Sequence, residues 1–106
     1  MVEDTCIAEL VERIAREFHP KRIVLFGSYA YGNPSAASDV DLLVILPHKG
    51  SGIRKAVEIL TRVNPRFPVD ILVRTPAQIR NRLAWNDFFL QEIMERGIVL
   101  YESAHV

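Results

Sequence analysis

The segment Asp39-Val-Asp-Leu-Leu-Val-Ile-Leu46 constrains this chain more than any other. It is an apolar strand entered through two carboxylates and stopped by Pro47, whose ring cannot continue a ladder. A second run, Arg22-Ile-Val-Leu-Phe26, is short, β-branched and apolar, and reads as a strand buried on both faces. A third, Val69-Asp-Ile-Leu-Val73, lies between Pro68 and Pro76. Ile98-Val-Leu-Tyr101 makes a final short strand. Strands of this kind need cover, and the segments between them supply it.

Residues 3–18 form an amphipathic helix, with Ile7, Leu10, Val11, Ile14, Ala15 and Phe18 at helical spacing. Asp4 or Thr5 is placed to cap its start, and Pro20 ends it. Cys6 lies near the apolar stripe and reads as a small buried or half-buried filler. After the turn 49–52, with Ser51 as cap, a helix runs over 53–63 with Ile53, Ala56, Val57 and Leu60 on one face. Thr75 caps a short helix through Arg82. Asn86 or Asp87 opens a last helix, with Phe89, Leu90, Ile93 and Met94 facing inward and Gly97 as its C-cap. The order helix, strand, strand, helix, strand, helices, strand predicts an α/β (α+β) architecture, a small mixed β-sheet covered by helices. No linker divides the chain, so residues 1–106 are expected to form a single domain.

Composition narrows the function. Thirteen basic and thirteen acidic side chains give a formal net charge of zero. The molecule as a whole therefore offers no attraction to nucleic acid or to an anionic membrane, and direct nucleic-acid binding is disfavoured. Neutrality also permits close association with another protein, or with itself as a homo-oligomer. The single cysteine excludes an internal disulfide and points to the cytoplasm. No apolar run approaches membrane-spanning length.

The chemistry is carried by aspartates in apolar strands. Asp39 and Asp41, two residues apart, point to the same side of their strand. Asp70 sits between Val69 and Ile71 and joins them if the two strands are neighbours. Two unit charges about 4 Å apart repel by roughly 4 kcal/mol at an effective dielectric near 20. Divalent cations remove that penalty, and hard oxygen donors without His or Cys favour Mg²⁺ or Mn²⁺. Two such ions ~3.5–4 Å apart suit phosphoryl or nucleotidyl transfer. A lone Asp39 would read as turn chemistry; three aspartates read as a metal site. Gly27-Ser28, directly after the Arg22–Phe26 strand, lets backbone amides approach an anion, and a following helical turn would aim its N–H groups there. Gly50-Ser-Gly-Ile-Arg-Lys lacks the ending of a phosphate loop and reads as a helix start.

Taken together, Leu-Phe-Gly27-Ser28-Tyr-Ala-Tyr-Gly, ten residues between Ser28 and Asp39, Asp39-Val-Asp41 and Val-Asp70-Ile resemble the polymerase-β nucleotidyltransferase superfamily, and within it the minimal nucleotidyltransferases of bacteria and archaea. The resemblance covers nearly the whole chain. It implies the polymerase-β-type fold, Gly27 and Ser28 on the triphosphate of ATP, Asp39 and Asp41 on two Mg²⁺ ions, and Asp70 assisting as a further ligand and general base. It also implies transfer of a nucleoside monophosphate, AMP from ATP, to a separate protein, because the chain has no room for an acceptor-binding domain. Minimal nucleotidyltransferases of the antitoxin type pair with a helical HEPN-domain ribonuclease and modify its tyrosine.

One position departs from the family pattern: where an arginine commonly precedes the second glycine of the loop, this chain has Tyr31. Arg22, Lys49, Arg54 and Arg74 are the candidate replacements. The same departure favours an alternative, a non-catalytic nucleotide- or partner-binding module that neutralises its partner by docking. His19, His48 and His105 share no metal-ligand spacing. Trp85, Phe88 and Phe89 read as core or as a surface joining another subunit, and Arg74, Arg80 and Arg82 as a solvated basic face.

Overall fold

The structure is a computed structural model, described here for residues 1–104. Along the chain run α1 (Asp4–Phe18), β1 (Arg22–Phe26), the single turn α2 (Ser28–Tyr31), β2 (Val40–Ile45), α3 (Gly52–Val63), β3 (Val69–Arg74), α4 (Pro76–Ala84), α5 (Phe88–Arg96) and β4 (Ile98–Glu102). The strands form one sheet in the order β3-β2-β1-β4. β1 is antiparallel to both of its neighbours, and β2 and β3 are parallel, joined through α3. The sheet is mixed, as the order of elements predicts.

Side chains alternate across the sheet. Leu25, Val40, Leu42, Val44, Ile71 and Val73 meet α1 and α3 on one face. Val24, Phe26, Leu43 and Ile45 meet Ile79 of α4 and Leu90 and Ile93 of α5 on the other. Leu42, Leu43 and Val44 are fully buried, which accounts for the unbroken apolar run in β2.

Three helix starts follow local side-chain chemistry. The Ser51 hydroxyl accepts from the N–H groups of Ile53 and Arg54. Thr75 and Gln78 form a reciprocal capping box with Pro76 at the first helical position. Asp87 accepts from the Leu90 N–H, which holds its carboxyl below the usual range. At α1, however, the capping position is Glu3, without a side-chain bond, rather than Asp4 or Thr5.

Other expectations are corrected by the phase of the helices. Cys6 is exposed on α1, not a filler. On α3 the buried stripe is Ala56, Ile59 and Val63, while Ile53 and Val57 face outward. Phe89 lies largely outside the core. Gly97 is the C-cap of α5, as expected, and takes an extended rather than a left-handed conformation. It is needed for space: a Cβ there would overlap the Ile93 carbonyl and stand 2.6 Å from Val24 Cγ1. His19 takes the left-handed conformation that closes α1 and His48 lies in the loop after β2, while His105 falls outside the described residues.

Candidate active site

The sheet register decides which aspartates meet. In the parallel β2–β3 pair Asp41 stands directly opposite Asp70, and in the antiparallel β1–β2 pair it stands opposite Phe26. Asp39 precedes β2 by one residue, two before Asp41. The start of β2, the start of β3 and the end of β1 thus share one end of the sheet. Asp41 alternates with the buried Leu42, so it projects to the face that carries α4 and α5.

The three carboxylates differ in environment. Asp41 is half-buried, whereas Asp39 and Asp70 are exposed. Asp70 is therefore not a buried charge, despite its apolar flanks: β3 is an edge strand, and its first residues reach the open end of the sheet. Burial first, then the charges of Asp70 and Asp39, push the Asp41 carboxyl up from 3.8 to about 6. Mutual repulsion is what the sequence pattern predicts for a cluster of acids lacking a counter-charge.

Gly27 is built against this cluster. Its φ is +73°, and a Cβ at that position would overlap the Asp41 carboxylate. Only glycine lets the chain turn there at such close range. The turn continues as α2, where the N–H groups of Ala30 and Tyr31 bond back to the Gly27 carbonyl. Those of Ser28 and Tyr29, first in the turn, have no backbone acceptor among the described residues.

Whether these side chains suit a divalent ion is answered by their donors. Among the described residues no three His, Cys, Asp or Glu side chains close into a cage. Mg²⁺ does not require one: it is usually held by one or two carboxylates, with waters and substrate phosphates completing the octahedron. Hard oxygen donors, mutual repulsion at Asp41 and a glycine that leaves room beside it fit that kind of site.

The four candidate cations lie away from the carboxylates. Arg22 opens β1, at the far end of a five-residue strand that spans about 15 Å, and pairs with Glu102. Arg74 stands opposite Ile45, also at the far end, and donates to the Val73 carbonyl at 2.8 Å. Lys49 and Arg54 belong to the loop and helix start that follow the far end of β2. None of the four stands beside Asp41. Instead, Arg96, the last residue of α5, lays its guanidinium over the Tyr31 ring, 4.1 Å from the ring centroid. The Glu92–Arg96 spacing reads in sequence as an ordinary surface pair, so only the tertiary contact identifies it. A groove of about 670 Å³ between α1 and β4 contains none of the three aspartates.

The family model described as a nucleotidyltransferase domain matches residues 7–100. The chain belongs to that family. It is a nucleotidyltransferase of mixed α/β fold, as the motifs predicted. The Methanocaldococcus jannaschii protein named "Putative protein adenylyltransferase MJ0604" is 28% identical over 105 residues, covering 95% of this chain and all of that one. A nucleotidyltransferase structure from Sulfolobus solfataricus superposes with a TM-score of 0.66 at 20% identity, over 95% of this chain and 81% of the other. A toxin–antitoxin structure with AMP-PNP gives a TM-score of 0.58 at 21% identity, over 92% and 74%. The substituted MntA–HpeT toxin–antitoxin gives 0.56 at 19%, with the same coverage. At these identities the structures establish the fold.

Proposed function

We propose that this nucleotidyltransferase moves AMP from ATP to a side-chain hydroxyl of a partner protein, and that it acts in this way as the antitoxin of a helical HEPN-type ribonuclease. The observation that carries the reading is the direct pairing of Asp41 with Asp70 across β2–β3, with Asp39 beside them and Gly27 packed on the cluster. Support for ATP, and for a protein acceptor, comes from the M. jannaschii relative's name and from the toxin–antitoxin neighbour containing AMP-PNP.

Asp39 and Asp41 would hold two Mg²⁺ ions, Mn²⁺ being an alternative, with Asp70 as a further ligand. When bound, the ions neutralise phosphate charge and stabilise the attacking and leaving oxygens. The Gly27–Ser28 turn presents backbone N–H groups and a hydroxyl to the triphosphate. The acceptor oxygen attacks the α-phosphorus, the bond from that phosphorus to the α–β bridging oxygen breaks, and pyrophosphate leaves. Asp70, exposed and opposite Asp41, takes the proton from the acceptor hydroxyl. A cytoplasmic setting supplies the nucleotide.

The acceptor reaches the site past an apolar shoulder. Trp85 and Phe88 are 76% and 77% exposed, and Phe89 sets its ring at 84° to that of Phe26, whose strand position faces Asp41. These rings favour a protein surface as the second substrate. They are also what a non-catalytic docking module would present. Labelling separates the two: α-labelled ATP with Mg²⁺ and a helical HEPN-type ribonuclease yields a labelled acceptor if transfer occurs. Binding of the partner without label favours docking alone.

A further inference from the structure

We propose that Arg96 binds the β- and γ-phosphates of the nucleotide, and that Tyr31 serves as the platform holding its guanidinium in place. The inference rests on the reading of the site as one for a nucleoside triphosphate. It assigns a residue from the far end of the sequence to that site.

Asp39, Asp41 and Asp70 already repel one another, and a triphosphate brings more negative charge to the same end of the sheet. Two divalent ions offset four charges. The phosphates that leave as pyrophosphate still require a donor on the side away from the carboxylates. The topology supplies that side. The carboxylates belong to β2 and β3, and the Gly27–Tyr31 turn follows β1, their neighbour. β4 begins with Ile98 opposite Leu25, one residue from Phe26, which itself faces Asp41. The end of α5 therefore lies at the carboxylate end of the sheet, on the other side of the turn.

Arg96 is suited to the task by how it is held. A guanidinium 4.1 Å from an aromatic centroid is a close cation–π stack. It fixes the plane of the group while leaving its edge free to donate. One nitrogen, Nη1, donates to Glu92 Oε1 at 2.9 Å, and the side chain keeps 56% of its surface exposed. Arginine has five N–H donors in a planar fork, so most remain available to a phosphate. Tyr31 is half-buried against the α4–α5 side of the core, which makes it a firm base. Gly97 places α5 tightly on β1, so the helix end cannot drift.

Isothermal titration of the full chain with ATP, AMP and pyrophosphate in Mg²⁺, together with single-turnover transfer, tests the assignment. Arg96→Ala is expected to weaken ATP and pyrophosphate about tenfold or more and leave AMP within about twofold, since only the outer phosphates lose a charge-assisted bond. Arg96→Lys keeps the charge without the fork and falls between. Tyr31→Ala weakens ATP and adds little to Arg96→Ala, and Tyr31→Phe, which keeps the ring, recovers most of the affinity that Tyr31→Ala loses. Arg16→Ala removes a comparable helix-end pair with Glu12 on α1 and serves as the control. An Arg96→Ala protein that binds ATP and pyrophosphate within twofold of wild type overturns the assignment alone. So does equal weakening of AMP and ATP, which would indicate a general structural role. A wild-type protein that binds neither ATP nor pyrophosphate overturns the functional reading and the assignment with it.

Discussion

Replacing Asp41 by asparagine should make the metal-free protein more stable while abolishing transfer. The Asp41 carboxyl is pushed from 3.8 up to about 6, chiefly by burial and then by Asp70 and Asp39. The folded state therefore binds this proton more tightly than the unfolded state does. Between about pH 4 and 6 the wild-type protein loses stability as pH rises, and above about 6 the cost is complete. Taken at 1.36 kcal/mol per pKa unit, the difference corresponds to about 3 kcal/mol. Asp41 is only half-buried and solvent screens its neighbours, so roughly 1–2 kcal/mol is the appropriate expectation. Asparagine keeps the shape and removes the charge. In a chain of 106 residues, that should raise the melting temperature by about 5–10 °C at pH 8 without metal. The two proteins should converge near pH 4, where Asp41 is neutral. Adding Mg²⁺ should raise the wild-type melting temperature and leave Asp41→Asn unchanged. Melting curves from pH 4 to 8, with and without Mg²⁺, check each part. An Asp41→Asn protein no more stable than wild type at pH 8, with the same pH slope, would refute the repulsion argument.

Three further changes probe the same end of the sheet. Tyr31→Arg should lower the single-turnover transfer rate, because it removes the Arg96 platform and sets two guanidiniums against each other; a rate gain would show that the loop position lacks a cation. Gly27→Ala should destabilise the fold by about 1–3 kcal/mol and weaken ATP binding, since it combines a positive φ with overlap on Asp41, and thermal melts with ATP titration will read both. Trp85→Ser with Phe88→Ser should weaken capture of the protein acceptor and leave Mg²⁺–ATP affinity within twofold, as measured by pull-down and calorimetry.

Much of this was legible in sequence because it is local. Strands β1 and β3 begin where the apolar runs begin, and β2 only one residue later, while Ser51, Thr75 and Asp87 cap the helices that follow them. Asp39 and Asp41 share a side because a strand has period two. The meeting of Asp41 with Asp70 depended on β2 and β3 being neighbours, which the local pattern left open and the register supplies. What escaped was tertiary. On α3 the expected face of Ile53, Ala56, Val57 and Leu60 is only half right: Ala56 is buried and Leu60 packs on the core, but Ile53 and Val57 face outward and Ile59 and Val63 complete the stripe, a phase set by packing on α1 and the sheet. The exposure of Asp70 follows from the edge position of β3. The Arg96–Tyr31 stack joins residues 65 positions apart through the order β2-β1-β4, which no local pattern encodes.

Transfer itself is the most direct test of the account. The chain, incubated with Mg²⁺ and a helical HEPN-type ribonuclease as acceptor, is given ATP labelled at the α-phosphate in one reaction and at the γ-phosphate in another. The α-label is expected to become covalently attached to the acceptor and the γ-label to be released as pyrophosphate, and Asp41→Asn or chelation of the metal should abolish labelling. Acceptor carrying the γ-label, or α-labelling undiminished in Asp41→Asn, would contradict the account.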